Sequence, residues 1–118
     1  MLIKHMTATL FEKIIKREIP ADIIYEDDIS IVIKDINPQA PTHLLIIPKK
    51  VIPKLSDANQ EDQEILGHLM LVATKIAKQL DLDDTFRMVI NNGAKAGQSV
   101  FHLHLHLLSG RVLSWPPG

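Results

Sequence analysis

The chain has 118 residues and a mass of 13.3 kDa, with 46% apolar and 23% charged residues, the proportions of one soluble globular domain spanning 1–118; 7 Pro and 5 Gly exclude a collagen-like or disordered chain. Its 13 basic and 14 acidic residues leave a net charge of -1, which excludes a diffuse electrostatic grip on nucleic acid. The absence of Cys excludes a disulfide framework, a thiolate zinc site and a Cys nucleophile. Without a leader-like start or an apolar run long enough to span a membrane, the expected location is cytoplasmic, and residues 1–8 are expected to be flexible.

Thr9 followed by Glu12 fits a capping box, and Leu10, Phe11, Ile14 and Ile15 repeat at helical spacing until Pro20, which predicts a short opening helix. Stretches 23–26 and 29–34 are rich in β-branched residues and are separated by Asp27 and Asp28, as in a hairpin. Pro38 and Pro41 precede 44–47, a buried strand candidate, and Pro48 and Pro53 bracket the next connection. Asp57, with Gln60 three positions on, predicts the cap of a long helix over about 59–80. The apolar arc of that helix, from Val72 round to Met70, is roughly 160° wide against about 100° for one contact face, so either a second subunit or the rest of the chain must cover the surplus. Strands are predicted over 86–91 and 100–108, with Asn92 and Gly93 opening the loop between them. Short connections between successive strands favour an antiparallel α+β domain.

The chemistry concentrates in 100–108, where His102, His104 and His106 alternate with Leu103, Leu105 and Leu107. On a regular strand the imidazoles share one face, the leucines face the core, and the outer histidines lie roughly 13 Å apart. Three side chains so spread cannot converge on one zinc ion, whose ligand nitrogens sit at about 2.0–2.1 Å. A metal site would have to take two of them, with His43 or Asp35 from elsewhere. A row of neutral imidazoles can instead divide nucleophilic attack, proton transfer and anion binding. His104, flanked on both sides, is the candidate nucleophile. Upstream, Gly93 and Gly97 permit close backbone approach, and Asn91, Gln98 and Ser99 offer donors suited to phosphate oxygens or a leaving group.

The run HLHLHLL at 102–108 matches the signature of the histidine triad (HIT) superfamily. LFEKII at 10–15, DINPQAPTH at 35–43, GQSVFH at 97–102 and WPPG at 115–118 resemble its Hint branch, the histidine triad nucleotide-binding proteins. The resemblance covers nearly the whole chain. It implies a HIT-like fold: a five-stranded antiparallel sheet with one long and one short helix, dimerising into a continuous sheet, and a C-terminal tail (109–118) near the site. It further implies a purine nucleoside phosphoramidase that needs no cofactor or metal, yields a nucleoside monophosphate through a nucleotidyl-histidine intermediate, and has no nucleic-acid or membrane partner.

On the same resemblance, His104 is the nucleophile, His106 and His43 contact the α-phosphate, and His102 supports the row. Ser99 lies near the leaving amine, and Asn91, Gln98 and the amide of Ser99 or Val100 on the phosphate side. Asp35 takes the ribose hydroxyls beside Ile36. Phe11, Ile14, Ile19, Ile33 and Leu45 form the purine slot. The chain departs from relatives at Val51 and Ser114, where many or some carry histidine, and at Ile33, where some carry an aromatic residue. Two rival readings remain open: a nucleotide-binding adaptor with vestigial catalysis, and a two-histidine metal protein.

Overall fold

The computed structural model describes residues 8–118, and the expectation for 1–7 lies outside them. The capping box forms as expected: Thr9 Oγ1 accepts the Glu12 amide at 3.0 Å, Glu12 Oε1 accepts the Thr9 amide at 2.9 Å, and α1 runs over Leu10–Ile15. The hairpin also forms, from β1 (Ile23–Glu26) and β2 (Ser30–Lys34). Its turn is closed by Asp27, whose Oδ1 accepts the amides of Ile29 and Ser30 at 2.8 and 2.7 Å. β3 (Thr42–Pro48) extends the predicted strand at both ends, and its residues from His43 on are buried. The edge strand β4 (Arg87–Val89) is shorter than predicted.

The long helix starts later than the sequence suggests. Asn59, rather than Asp57, caps a 3-10 turn over Gln60–Asp62, and α2 follows over Gln63–Gln79. Asp57 is already committed, its carboxylate closing the preceding turn by accepting the Lys54 amide.

The last strand is the larger correction. β5 spans Leu105–Ser109, so His102, Leu103 and His104 precede the ladder. The Leu103 amide donates to Ile52 O at 2.7 Å, a carbonyl of the 49–54 connection, and this diverts the backbone before it reaches β3. The leucines still pack into the core under α2, and His102 and His104, outside the ladder, are buried as well instead of alternating with them in exposure.

The five strands form one antiparallel sheet in the order β1-β2-β3-β5-β4, as the α+β reading expected. Both faces are covered. On one, Val32, Leu44, Ile46, Leu103, Leu105 and Leu107 pack with Leu69, Val72, Ala73 and Ile76 of α2. On the other, Ile31, Ile33, Leu45 and Ile47 pack with Phe11 and Ile14 of α1. The second face is the thinner one, because α1 has only six residues, and there the sheet remains open beside the helix. At the edge of the α2 arc Leu66 is half-buried and Met70 is 48% exposed, so the chain's own described residues leave the surplus apolar width uncovered.

Partial burial disfavours the Asp27 charge, but His68 Nε2 at 2.7 Å, the two turn amides and the Tyr25 hydroxyl outweigh it and hold the carboxyl well below the usual carboxylate range. The stabilisation is therefore complete above the ordinary Asp value of about 4 and fades as the pH falls below it. Asp27→Asn is expected to lose about 1–2 kcal/mol at pH 7. Urea titrations should show that deficit shrinking toward pH 3; a deficit independent of pH would contradict this account of the turn.

Candidate active site

The strand register explains how distant residues meet. Leu45 of β3 pairs with His106 of β5, so His43, two residues earlier on the same face, is the diagonal neighbour of His106. His43 Nε2 and His106 Nδ1 are 2.9 Å apart. Asp35, one residue after β2, donates its amide to the His43 carbonyl at 3.0 Å and brings Oδ2 to 3.4 Å from His43 Nε2. Its Oδ1 accepts the Asn37 amide at 2.8 Å, so the carboxylate shapes the turn and faces the site at once.

Proton positions follow from backbone partners, since a carbonyl only accepts and an amide N–H only donates. His102 Nε2 lies 2.7 Å from Pro48 O, so Nε2 carries the proton. Burial holds His102 below the ordinary histidine pKa, against the pull of the Pro48 carbonyl and the Glu12 charge, so the ring is neutral and its Nδ1 accepts from Thr9 Oγ1 at 2.8 Å. His104 Nδ1 lies 2.8 Å from His102 O and must donate. Burial also holds His104 below its ordinary value, which leaves Nε2 as a bare lone pair with no hydrogen-bond partner among the described residues.

A second chain of partners fixes the other half. The Gln39 amide donates to His43 Nδ1 at 3.0 Å, so His43 is protonated at Nε2 and donates to His106 Nδ1. His106 then presents Nε2–H. Burial, with the neighbouring His104 and His43 rings, pushes the His106 pKa down to about 4 despite Asp35. The two halves meet where the His104 and His106 ring centroids lie 5.1 Å apart.

These groups open onto a cavity of about 310 Å³ lined by Phe11, Ile14, Ile19, Ile33, Asp35, Ile36, Leu45, Ser99, His104 and His106, all singled out in the sequence. Leu10, Pro20, Ala21, Lys34, Gly97 and Val100 complete the wall. One end is aliphatic and the other is imidazole, hydroxyl and carboxylate. Ile36 is 99% exposed and stands at the rim.

His43 and His102 stand behind the wall and act on it through His106 and His104. Gln98 is buried with its side chain spent on protein groups: Oε1 accepts the Gly93 amide, and Nε2 donates to Pro53 O and Val100 O. Asn91 likewise lies outside the cavity wall, against Gly97. The tail after β5 runs beside β4, where Arg87 donates to Leu113 O at 3.0 Å and faces the Trp115 ring, and none of its residues lines this cavity.

The sequence reading missed Thr9 as a neighbour of His102. Its only sequence signal was the capping box, which says nothing about a contact 93 residues away.

Residues 16–113 match the HIT domain family. The chain is 62% identical over 110 residues to an uncharacterized HIT-like protein of Synechocystis sp., covering 93% of this chain and 96% of that one. It is 53% identical over 112 residues to the 14 kDa zinc-binding protein of Zea mays, covering 93% of this chain and 88% of the relative. A HIT family hydrolase from Legionella pneumophila superposes with a TM-score of 0.91 at 47% identity, covering 94% of this chain and 100% of that one.

Long-range nitrogen-proton spectra should show His106 titrating with a midpoint near 4. A midpoint near the unperturbed value of about 6.5 would mean that its ring is solvated instead of packed between His104 and His43.

Proposed function

This chain belongs to the HIT domain family, and from that premise we propose that it hydrolyses purine nucleoside phosphoramidates, releasing nucleoside monophosphate and amine. The observation that carries the reading is the bare Nε2 of His104 on the wall of a cavity that is aliphatic at one end and polar at the other. The Legionella relative, described as a hydrolase, supports the reaction type. Resemblance to the Hint branch supports the substrate class.

In this mechanism the base lies among Phe11, Ile14, Ile19, Ile33 and Leu45, and Asp35 takes the ribose hydroxyls. His104 Nε2 attacks phosphorus, forming a P–N bond to the ring as the bond to the amine breaks. The positive charge that develops on the imidazole is spread to Nδ1–H, which already donates to His102 O, so the acceptor is in place before the reaction begins. His106 Nε2–H donates to a phosphoryl oxygen, and its Nδ1 is polarised by His43. The amine leaves poorly as an anion; a proton from Ser99 Oγ or from the histidine row neutralises it. Water then attacks phosphorus and gives a proton back to the group that protonated the amine, His104 Nε2 departs with its lone pair, and the row returns to its starting state. Gln98, with its polar atoms engaged, serves this reading by holding the Ser99 loop in shape.

The reading includes a two-fold dimer. Its supports are the uncovered α2 edge around Met70 and the position of β4 at the sheet margin, where a second β4 could extend the sheet. Met70→Glu is expected to shift the chain to a monomer by light scattering.

One observation favours a second reading. The ligand atoms of Asp35, His43 and His106 lie within 4.8 Å of one another, and the maize relative is described as zinc-binding. Zinc would fit this donor set once the proton between His43 and His106 is displaced, and it would supply Lewis acidity beside the phosphate. The set holds one triad histidine, with both other groups from outside the triad.

His104→Ala is expected to lower turnover of adenosine phosphoramidate by about 10³-fold or more. Calorimetry should show adenosine monophosphate still binding, and rapid quenching of the wild-type chain should capture a nucleotidyl adduct on His104. A variant that keeps turnover leaves the adaptor reading. Loss of wild-type activity on chelation, with stoichiometric zinc in the purified protein, would favour the metal reading.

A further inference from the structure

Thr9 Oγ1 accepts the Glu12 amide as the N-cap of α1, and its other side-chain partner is His102 Nδ1 at 2.8 Å. A hydroxyl whose oxygen accepts from an amide keeps its hydrogen free to donate. His102 has no solvent exposure, so water offers its Nδ1 no substitute. Its other nitrogen is held by Pro48 O, and its carbonyl accepts His104 Nδ1–H.

We propose that Thr9 is a positioning residue of the reaction: by donating its hydroxyl hydrogen to His102 Nδ1 it holds His102 as the Nε2–H tautomer and so fixes the aim of His104. The kinetic consequence rests on the phosphoramidase reading above, whereas the proton placement does not.

The other tautomer would disrupt the row. A proton on His102 Nδ1 would leave the Nε2 lone pair facing the Pro48 carbonyl at 2.7 Å, two acceptors in contact. The ring would have to turn, carrying the His102 backbone and the carbonyl that orients His104. α1 reaches the same two rings a second time, since Phe11 packs edge-on against His102 and His104 with centroids 5.7 and 4.9 Å apart. Phe11 and Ile14 also line the aliphatic end of the cavity. The helix that shapes the base slot therefore ends in the hydroxyl that sets the proton on the row. Ordering of α1 and readiness of the nucleophile become one event, and the link is a side chain that the sequence offers only as a helix cap.

Two variants separate these roles. Thr9→Ser keeps both cap and donor. Thr9→Asp keeps the cap, because a carboxylate accepts the Glu12 amide, but it has no hydrogen to give and favours a proton on His102 Nδ1. Long-range nitrogen-proton spectra report the protonated nitrogen of each imidazole directly.

The wild-type chain and Thr9→Ser should show His102 protonated at Nε2, with similar kcat. Thr9→Asp should keep its helix content by circular dichroism, gain protonation at His102 Nδ1, and lose about 10- to 100-fold in kcat, with KM changing far less. A Thr9→Asp chain that keeps the wild-type nitrogen pattern and kcat overturns the proposal, as does a wild-type His102 protonated at Nδ1. If the wild-type chain turns over no phosphoramidate but shows the expected nitrogen patterns, the phosphoramidase reading fails and the proton placement by Thr9 stands.

Discussion

The hydrogen bond from His102 Nε2 to the carbonyl of Pro48 sets the rest of the site. Pro48 closes β3, so its carbonyl is placed by the most buried strand of the sheet, and a carbonyl has only one role to offer. It takes the proton on His102 Nε2, and the Thr9 hydroxyl at Nδ1 holds the ring in that tautomer. The backbone oxygen of His102 then assigns the proton on His104. A nucleophilic imidazole needs one bare nitrogen and one anchored N–H; His104 has both, its N–H held by a backbone carbonyl and no carboxylate hydrogen-bonded to it among the described residues. Burial keeps both rings neutral, so the arrangement is poised in the free protein.

The other half of the site is anchored independently. Arg111, just after β5, donates from Nε and Nη2 to the Gln39 carbonyl at 3.2 and 3.0 Å; the Gln39 amide donates to His43, and His43 donates to His106. Gly110 lets this segment come close: its φ is +100°, and a Cβ there would stand 2.8 Å from the Pro41 Cβ. The loop carrying Asp35 and His43 is thus clamped by the chain leaving β5. His106 needs β5 for its backbone and this loop for its proton.

The contrast between what the sequence discloses and what it hides follows from the range of each interaction. The capping box, the Asp27 turn, the β1-β2 hairpin and the buried β3 are local, and local patterns record them. Polarity alternates through 102–107 and so predicts one regular strand, yet alternation records only which side chains face the α2 core and is silent on where the ladder begins. Ile52, 51 residues upstream, takes the Leu103 amide and ends the strand early, and nothing near Leu103 announces it. The cavity residues were legible mainly through family resemblance, since Phe11, Ile14, Ile19 and Leu45 look like ordinary core when taken singly. Gln98 shows the converse, a polar residue in the right loop whose side chain turns inward to bind backbone.

Two separate anchors have a chemical consequence where the halves meet. A proton now bridges His43 and His106 at 2.9 Å, with Asp35 Oδ2 at 3.4 Å from the same His43 nitrogen. Any cation competing for that proton, a metal included, would act on the loop-anchored half alone. His104 would keep its orientation, because its restraints run through His102 to Pro48 and α1 without touching Asp35, His43 or Gln39. His104 and His106 can therefore be tuned separately, by changes in α1 for one and in the 35–43 loop for the other. A fold that carried both on one rigid strand, as the alternating pattern first suggests, would tie those two adjustments together.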